Sequence, residues 1–506
     1  MRLFFWIQLA LCGGLHVQAT AQSFNLRYDL FTEGQGEFGL GVEVLDSNKV
    51  LAFLNRGYVL DSLFYSSGLS SIVIDQGHQI TNEFRLHIPE RANYIGWSNA
   101  GGPISDGGYI VGGSTFATGD TNRAVLFWVD QTGSVIDYRE FDLPGQSWIG
   151  RQAKQTPDGG FVLCGETSTV GFVDAFVLKT DSIGTVEWVK TYGGPYTDYT
   201  TSVDLDPLTG GYFTGGNYRA TSSNRQIWVQ ALNDTGAVVW STVWGSDFVD
   251  LQAHITTLAD GNILAASNWG TAVDNSVKYL AKLDRTDGTI IWSNTYGTQC
   301  QGCVLLVAQE IDPGGDLIAV GHTLVPGNSY FGSLLRTTSE GDSLWMRNYQ
   351  YSDDSVSNKP GLLYDVQPTP DGGFIAVGVA LAVSGVYSQD VWVIKTDSMG
   401  CIEPGCDVIT GMQSQLTNLK DALRVWPNPV QAAGAVQIEL QLPEGFKADG
   451  PLQLTVTNGL GQLVHRQQLA QYVRPEVLEG QLSTGLYHLH LHDNTRWIAG
   501  AKLVVE

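Results

Sequence analysis

The stretch TPDGGFVLCGET, Thr156 to Thr167, returns almost intact as TPDGGFIAVGVA, Thr369 to Ala380. Self-similarity at this separation marks an array of repeated units, and weaker copies fill the interval. One turn glycine falls in each copy, at Gly107, Gly159, Gly210, Gly261, Gly315 and Gly372. A second series runs Gly77, Gly133, Gly184, Gly236, Gly288, Gly341 and Gly400. Both series step by about 50 residues, the length of one small antiparallel sheet with its turns. With a degenerate first copy near Asn48, seven copies are expected.

Inside a copy the pattern is all strand. In the fourth, residues 201–205, 211–215, 227–232 and 237–244 are short β-branched or aromatic runs punctuated by Gly, Asn, Asp and Pro. Four strands per unit, repeated seven times, predict an all-β fold and a seven-bladed β-propeller, because one small sheet must stack on neighbours to bury both faces. The seventh copy stops after KTDSMG (Lys395 to Gly400) with three strands, while FNLRYDLF (Phe24 to Phe31) holds the place that VEWVKTY (Val186 to Tyr192) holds between the third and fourth copies. An N-terminal strand is therefore expected to complete the last blade and close the ring, leaving no open sheet edge.

The 506 residues carry 28 basic and 51 acidic side chains, a formal charge of −23. That sign argues against a nucleic-acid partner, which needs clustered Lys and Arg. The chain is 43% apolar and only 16% charged, which excludes an acidic disordered protein. Arg2, an apolar run from Leu3 to Leu15 and the triplet Ala19-Thr20-Ala21 read as a signal peptide over residues 1–21. No later run is long enough to span a membrane, so the mature chain is expected to lack a transmembrane segment.

Export makes Cys300 with Cys303, and Cys401 with Cys406, candidate local disulfides; a four-Cys zinc site is the alternative for the same residues. Cys164 reads as a buried core thiol. The recurring Asp-x-x-Gly of Asp181 to Gly184 and Asp397 to Gly400 reads as hairpin turns and not as calcium loops. Trp188, Trp240, Trp292 and Trp345 recur at one place per copy and read as packing between blades. His488, His490 and His492 alternate opposite Tyr487, Leu489 and Leu491, which places the three imidazoles on a solvent face. No metal site, cofactor motif, nucleophile elbow, Walker loop or dinucleotide fingerprint is read anywhere.

After Cys406 the rhythm stops. Residues 407–422 form a polar connector to the propeller of residues 22–406, and 423–506 read as a small Ig-like β-sandwich. VWPNP (Val425 to Pro429), LTVTNGLGQLV (Leu454 to Val464), LSTGLYHLHL (Leu482 to Leu491) and KLVV (Lys502 to Val505) follow in order. This module resembles the C-terminal sorting domain of the type IX secretion (Por) system of Bacteroidetes. The motif positions are Trp426, Pro427, Asn428, Pro429, Gly485, Tyr487 and Lys502, with Trp426 where the family usually has Tyr. The resemblance implies partnership with the type IX machinery and a secreted or outer-membrane surface location.

The blade-to-blade connections and the loops between second and third strands share one face. There Trp148, Tyr196, Tyr199, Tyr218 and Trp269 are the candidate ligand-binding residues, with Tyr330, Asp198, Asp247, Arg219 and Arg225 nearby. The leading expectation is a non-enzymatic scaffold that binds a glycan or an extracellular protein. The alternative is a propeller enzyme. ALNDTGAVVW (Ala231 to Trp240) and KLDRTDGTIIW (Lys282 to Trp292) look like the blade motif of quinoprotein dehydrogenases, and a polysaccharide hydrolase or lyase would need carboxylates converging from different blades.

Overall fold

The computed structural model describes residues 23–30, 36–61, 64–117, 119–143, 147–168, 173–219, 221, 224–325, 329–351, 360–381, 389–402, 423–432, 434–442, 451–458, 463–469, 476–478, 482–492 and 497–506. The expected signal peptide, Cys406 and the expected connector 407–422 lie outside the described residues.

Among the described residues every regular element is a strand. The first sheet is Glu37–Asp46, Lys49–Asp61, Phe64–Asp75 and Ile80–Arg85. The second has its innermost strand in two pieces, Ala92–Ile95 and Gly101–Pro103, followed by Tyr109–Phe116, Arg123–Val129 and Val135–Phe141. The third is Ser147–Gln155, Phe161–Ser168, Val173–Thr180 and Val186–Tyr192; the fourth is Tyr199–Leu205, Tyr212–Arg219, Arg225–Leu232 and Val238–Trp244. The fifth is His254–Thr257, Ile263–Ala272, Asn275–Leu283 and Ile290–Gln301; the sixth is Val304–Glu310, Leu317–Val325, Ser329–Thr337 and Ser343–Tyr349. The seventh joins Gly361–Pro368, Phe374–Ala380 and Asp390–Thr396 to Phe24–Tyr28.

Middle strands are buried on both faces and outer strands alternate, as Phe374–Ala380 and Val238–Trp244 illustrate. The reason is face-to-face stacking. Phe213, Ile227 and Val229 of the fourth sheet share a core with Ile255, Ile263 and Ala265 of the fifth. Each such Phe, Ile or Val side chain contributes roughly 1.5–3 kcal/mol by leaving water.

Two further contacts recur between neighbouring sheets. On the outer strand, Trp188, Trp240, Trp292 and Trp345 lie across from Lys179, Ala231, Lys282 and Arg336, and rest on the turn glycines Gly236, Gly288, Gly341 and Gly400 of the next sheet. A Cβ on Gly236 would meet the Trp188 ring at 2.7 Å, so that turn has room for glycine alone. Four residues along the strand, Tyr192, Tyr296 and Tyr349 donate their hydroxyls to the carbonyls of Gly236, Gly341 and Gly400, each at 2.8 Å.

The N-terminal strand carries the same pair. Phe24 lies across from Lys395, the position that Trp188 holds against Lys179, and packs on the His78 ring at 4.3 Å. Tyr28 donates to the carbonyl of His78 at 3.2 Å. On the inner side, Asp365 of the seventh sheet accepts the Val42 N–H of the first at 2.9 Å, as Gln152 accepts that of Val203 and Asp204 that of Thr257.

The C-terminal module has two sheets. Leu423–Trp426, Gln437–Leu440 and Glu476–Val477 form one, and Leu463–Leu469, Leu452–Asn458, Gly485–His492 and Trp497–Val505 form the other in that spatial order. They share one core that includes Leu423, Ile438, Leu454, Leu489 and Leu503. One expectation fails here. His490 is buried at 8% exposure instead of facing water, because its strand is interior and Thr455 and Gly500 flank it.

Deleting residues 22–32 should lower the melting temperature and produce self-associated species in size-exclusion chromatography, because the edge Asp390–Thr396 loses its cover. Tyr28→Phe should cost about 1 kcal/mol in chemical denaturation, the scale of one net hydrogen bond.

Candidate functional site

The innermost strands share an irregularity that no side-chain pattern announces. In the first, third, fourth, sixth and seventh sheets, two residues oppose one at the same point of the ladder, and the extra residues are Leu40, Arg151, Thr201, Leu306 and Tyr364. Such bulges re-aim one side chain out of the sheet. In the second sheet the bulge grows to the excursion Gly96–Ala100, which spans the single residue Gly112: Gly96 N–H donates to Gly112 O, and Gly112 N–H to Ala100 O.

Ser98 and Asn99 occupy left-handed backbone there, with φ of 54° and 45°. Non-glycine residues hold such angles only when surroundings enforce them. Here the enforcers are visible: Asn99 N–H donates to Leu40 O, Gln152 Nε2 to Asn99 O, and Ala153 N–H to Ala100 O. A Cβ on Gly96 would lie 1.6 Å from the carbonyl oxygen of Arg151, so the excursion sits directly on the third sheet. Ser98 and Ala100 are buried, whereas Trp97 is 56% exposed.

Trp97 stands over a cleft of about 740 Å³, with its ring edge against Tyr364. Tyr94 and Phe116 stack in the same cleft with centroids 5.3 Å apart and planes 7° from parallel. Ser114, Asn122, Arg151 and Gln389 add polar groups, and no carboxylate lines the cleft among the described residues. Arg56 forms part of its wall and is fully buried between Glu37 and Glu83. Burial pushes the Glu37 carboxyl up to about 7 against the opposing pull of Arg56.

Two other acids, the buried Asp365 and the half-buried Glu43, lie outside the cleft lining. Asp365 is pushed well up by burial, and its oxygens accept the N–H groups of Val42 and Val366. Glu43 is raised to about 7 by burial, partly offset by Lys154. Asp365 thus fastens strands. The cleft itself can stack flat apolar faces, donate hydrogen bonds and accept an anion at Arg151.

The residues named from sequence are spread apart. Trp148 is a correction: it is 6% exposed and packs edge-on to Phe176, because alternation along Ser147–Gln155 turns it into the core. Tyr196, Tyr199, Tyr218 and Trp269 are half-buried, Tyr218 against Trp228 and Trp269 against Tyr279. Burial raises the Tyr199 phenol, whose hydroxyl donates to Gln252 at 3.4 Å. Trp97, Tyr94, Phe116 and Arg151 were missed. The signal available was the break in repeat spacing around Gly96–Ala100.

Cys300 and Cys303 are joined, with Cα atoms 5.4 Å apart. Cys401 is disulfide-bonded, and its expected partner Cys406 lies outside the described residues. Cys164 is free and buried, its thiol pushed up to about 12. The turn carboxylates are spent on their own backbone, as Asp181 accepts the N–H groups of Ile183 and Thr185.

In the last module the Asn428 amide bridges to the terminal strand, donating to Lys502 O at 2.6 Å and accepting the Val504 N–H at 2.9 Å. Tyr487 is buried in the core and donates its hydroxyl to Ser483 O at 2.8 Å, one turn from Gly485 at the strand start. Pro427 and Pro429 both follow cis bonds, and Trp426 is 37% exposed. Residues 424–506 match the family described as secretion system C-terminal sorting domain. This module is a type IX sorting domain. Its presence indicates export by that system to the cell surface or beyond.

No curated protein matches the chain. Among solved structures the chain is similar to quinohemoprotein alcohol dehydrogenase from Comamonas testosteroni, at 11% identity and TM-score 0.35, covering 81% of each chain. Sqt1 from Chaetomium thermophilum matches at 12% identity and TM-score 0.38, over 72% of this chain and 87% of that one. The NanB sialidase from Streptococcus pneumoniae matches at 11% identity and TM-score 0.36, over 75% and 69%. No helix among the described residues is long and apolar enough to cross a membrane.

Glu43 holds its proton to about pH 7 when folded and to roughly 4.3 when unfolded. Wild-type stability should therefore fall as pH rises through that window, while Glu43→Gln escapes the loss. Urea denaturation at pH 5 and pH 7.5 should show the variant gaining roughly 2 kcal/mol on wild type across the interval.

Proposed function

We propose that this chain is an exported seven-bladed β-propeller that binds an extracellular carbohydrate in the Trp97 cleft, delivered by its type IX sorting domain. In this reading residues 1–21 are a signal peptide, 22–406 the propeller and 407–422 a connector. The seven sheets are the blades, and Phe24–Tyr28 closes the ring. Support for closure comes from Phe24 and Tyr28 repeating the Trp and Tyr contacts of the other outer strands, and from the strand Glu37–Asp46 packing against all three C-terminal strands of the seventh sheet.

The single observation that carries the ligand reading is the excursion Gly96–Ala100. It breaks a repeat kept by five other sheets, holds two left-handed residues, and exposes one tryptophan over a cleft that also offers a stacked aromatic pair. Exposed aromatic faces with amide and hydroxyl neighbours suit the flat faces and hydroxyls of sugar rings. Hydrolysis of a glycosidic bond would instead use a pair of carboxylates flanking it. The cleft's described lining offers aromatics, amides, a hydroxyl and the guanidiniums of Arg56 and Arg151, which favours binding over turnover.

Trp97→Ala with Tyr94→Ala should weaken glycan-array binding at least tenfold at unchanged melting temperature, on the scale of two aromatic contacts. Retained binding would remove the cleft as the site. Steady release of reducing ends from a polysaccharide panel would favour the enzymatic reading.

A further inference from the structure

The protein is strongly acidic, yet on the third and fourth sheets Arg151, Arg219 and Arg225 keep guanidinium groups that side-chain acids engage only in part. Arg219 and Arg225 face each other directly across the mouth of the hairpin formed by Tyr212–Arg219 and Arg225–Leu232. Like charges in that position destabilise a strand pair. Among the described residues neither guanidinium makes an ion pair, and the Arg219 Nε is buried without a hydrogen-bond partner. Asp198 feels the Arg219 charge but is fully buried, and its oxygens accept the N–H groups of Gly194 and Arg219, both at 2.6 Å.

Arg151 joins them from the third sheet. It is the bulged residue there and lines the Trp97 cleft. Glu166 engages its Nη2, and the rest of the fork has no other described side-chain partner. Tyr199 opens the innermost strand of the fourth sheet, which packs against that of the third, and its phenol feels Arg225, Arg151 and Arg219, with Glu166 as the acid among them. Arg151 lines the cleft beside Trp97, and Arg219 and Arg225 stand on the neighbouring fourth sheet; guanidinium forks match a group with two coplanar oxygens, so together they can track an extended anionic ligand.

We propose that the ligand of the cleft is an anionic polysaccharide, bearing uronate carboxylates or sulfate esters, whose rings stack at Trp97 and whose oxyanions are held by Arg151, Arg219 and Arg225. This rests on the cleft being a carbohydrate site. The overall charge of −23 makes the point sharper, because long-range attraction works against a polyanion and the three arginines must supply the affinity locally.

The test is affinity electrophoresis of the full exported chain through gels containing polygalacturonate, dextran sulfate or neutral dextran. Wild type should be retarded by at least one polyanion and less so as NaCl is raised. Arg151→Gln, and Arg219→Gln with Arg225→Gln, should each weaken that retardation at least tenfold. The double variant should melt no lower than wild type, because a like-charge pair has been removed. Which polyanion retards the protein tells carboxylate from sulfate. If the arginine variants are retarded like wild type, or if dextran is bound as well as the polyanions through Trp97, the anionic ligand is wrong while the carbohydrate site stands. If no polymer retards the protein, both fall.

Discussion

A tyrosine hydroxyl that reaches from the outer strand of one sheet to a turn carbonyl of the next is the interaction on which this architecture depends. Tyr192, Tyr296 and Tyr349 make it, and Tyr28 makes it from the start of the chain. One net hydrogen bond stabilises by only about 1 kcal/mol. Its effect on geometry is larger, because it fixes the rim of each sheet while the apolar faces behind it, which have no direction of their own, slide into contact. The tryptophan four residues earlier fills the gap that the turn glycine leaves, so in the third, fifth and sixth sheets shape and polarity together set one stacking offset.

With the rim fixed, variation is free to concentrate at the axis. The repeated bulge lifts one residue out of the ladder at a constant place in five innermost strands. Its identity ranges from Leu40 and Leu306 through Thr201 to Tyr364 and Arg151 without disturbing strand pairing. Only in the second sheet does the insertion lengthen, and there the cleft opens. Trp97 is thus carried by backbone whose strain is met by hydrogen bonds from the first and third sheets.

How much of this was legible in the sequence follows from what each feature is made of. The repeat, the strand count per copy and the place of Phe24 are written in residue types at fixed spacing, so they could be read directly. The sorting domain likewise rests on short motifs in order. Beyond the break in repeat spacing, nothing in the residue types pointed to Trp97, because SNAGGP, Ser98 to Pro103, looks like any other turn and a bulge changes register without changing composition. Arg151 was hidden for the same reason. Trp148 misled in the opposite direction: a loop aromatic by neighbourhood, it falls on a strand whose alternation sends it inward. His490 shows that alternation fixes the face of a residue but not how crowded that face is.

The Asn428 amide has a consequence for timing. Its carbonyl and amino groups both bond to the backbone of Trp497–Val505, so the WPNP segment gains its shape only when a strand made some seventy residues later is in place. A chain cut short before that strand keeps the letters WPNP but loses both bonds that hold the Asn428 amide, so the beginning of the module takes its form only once the end has been made.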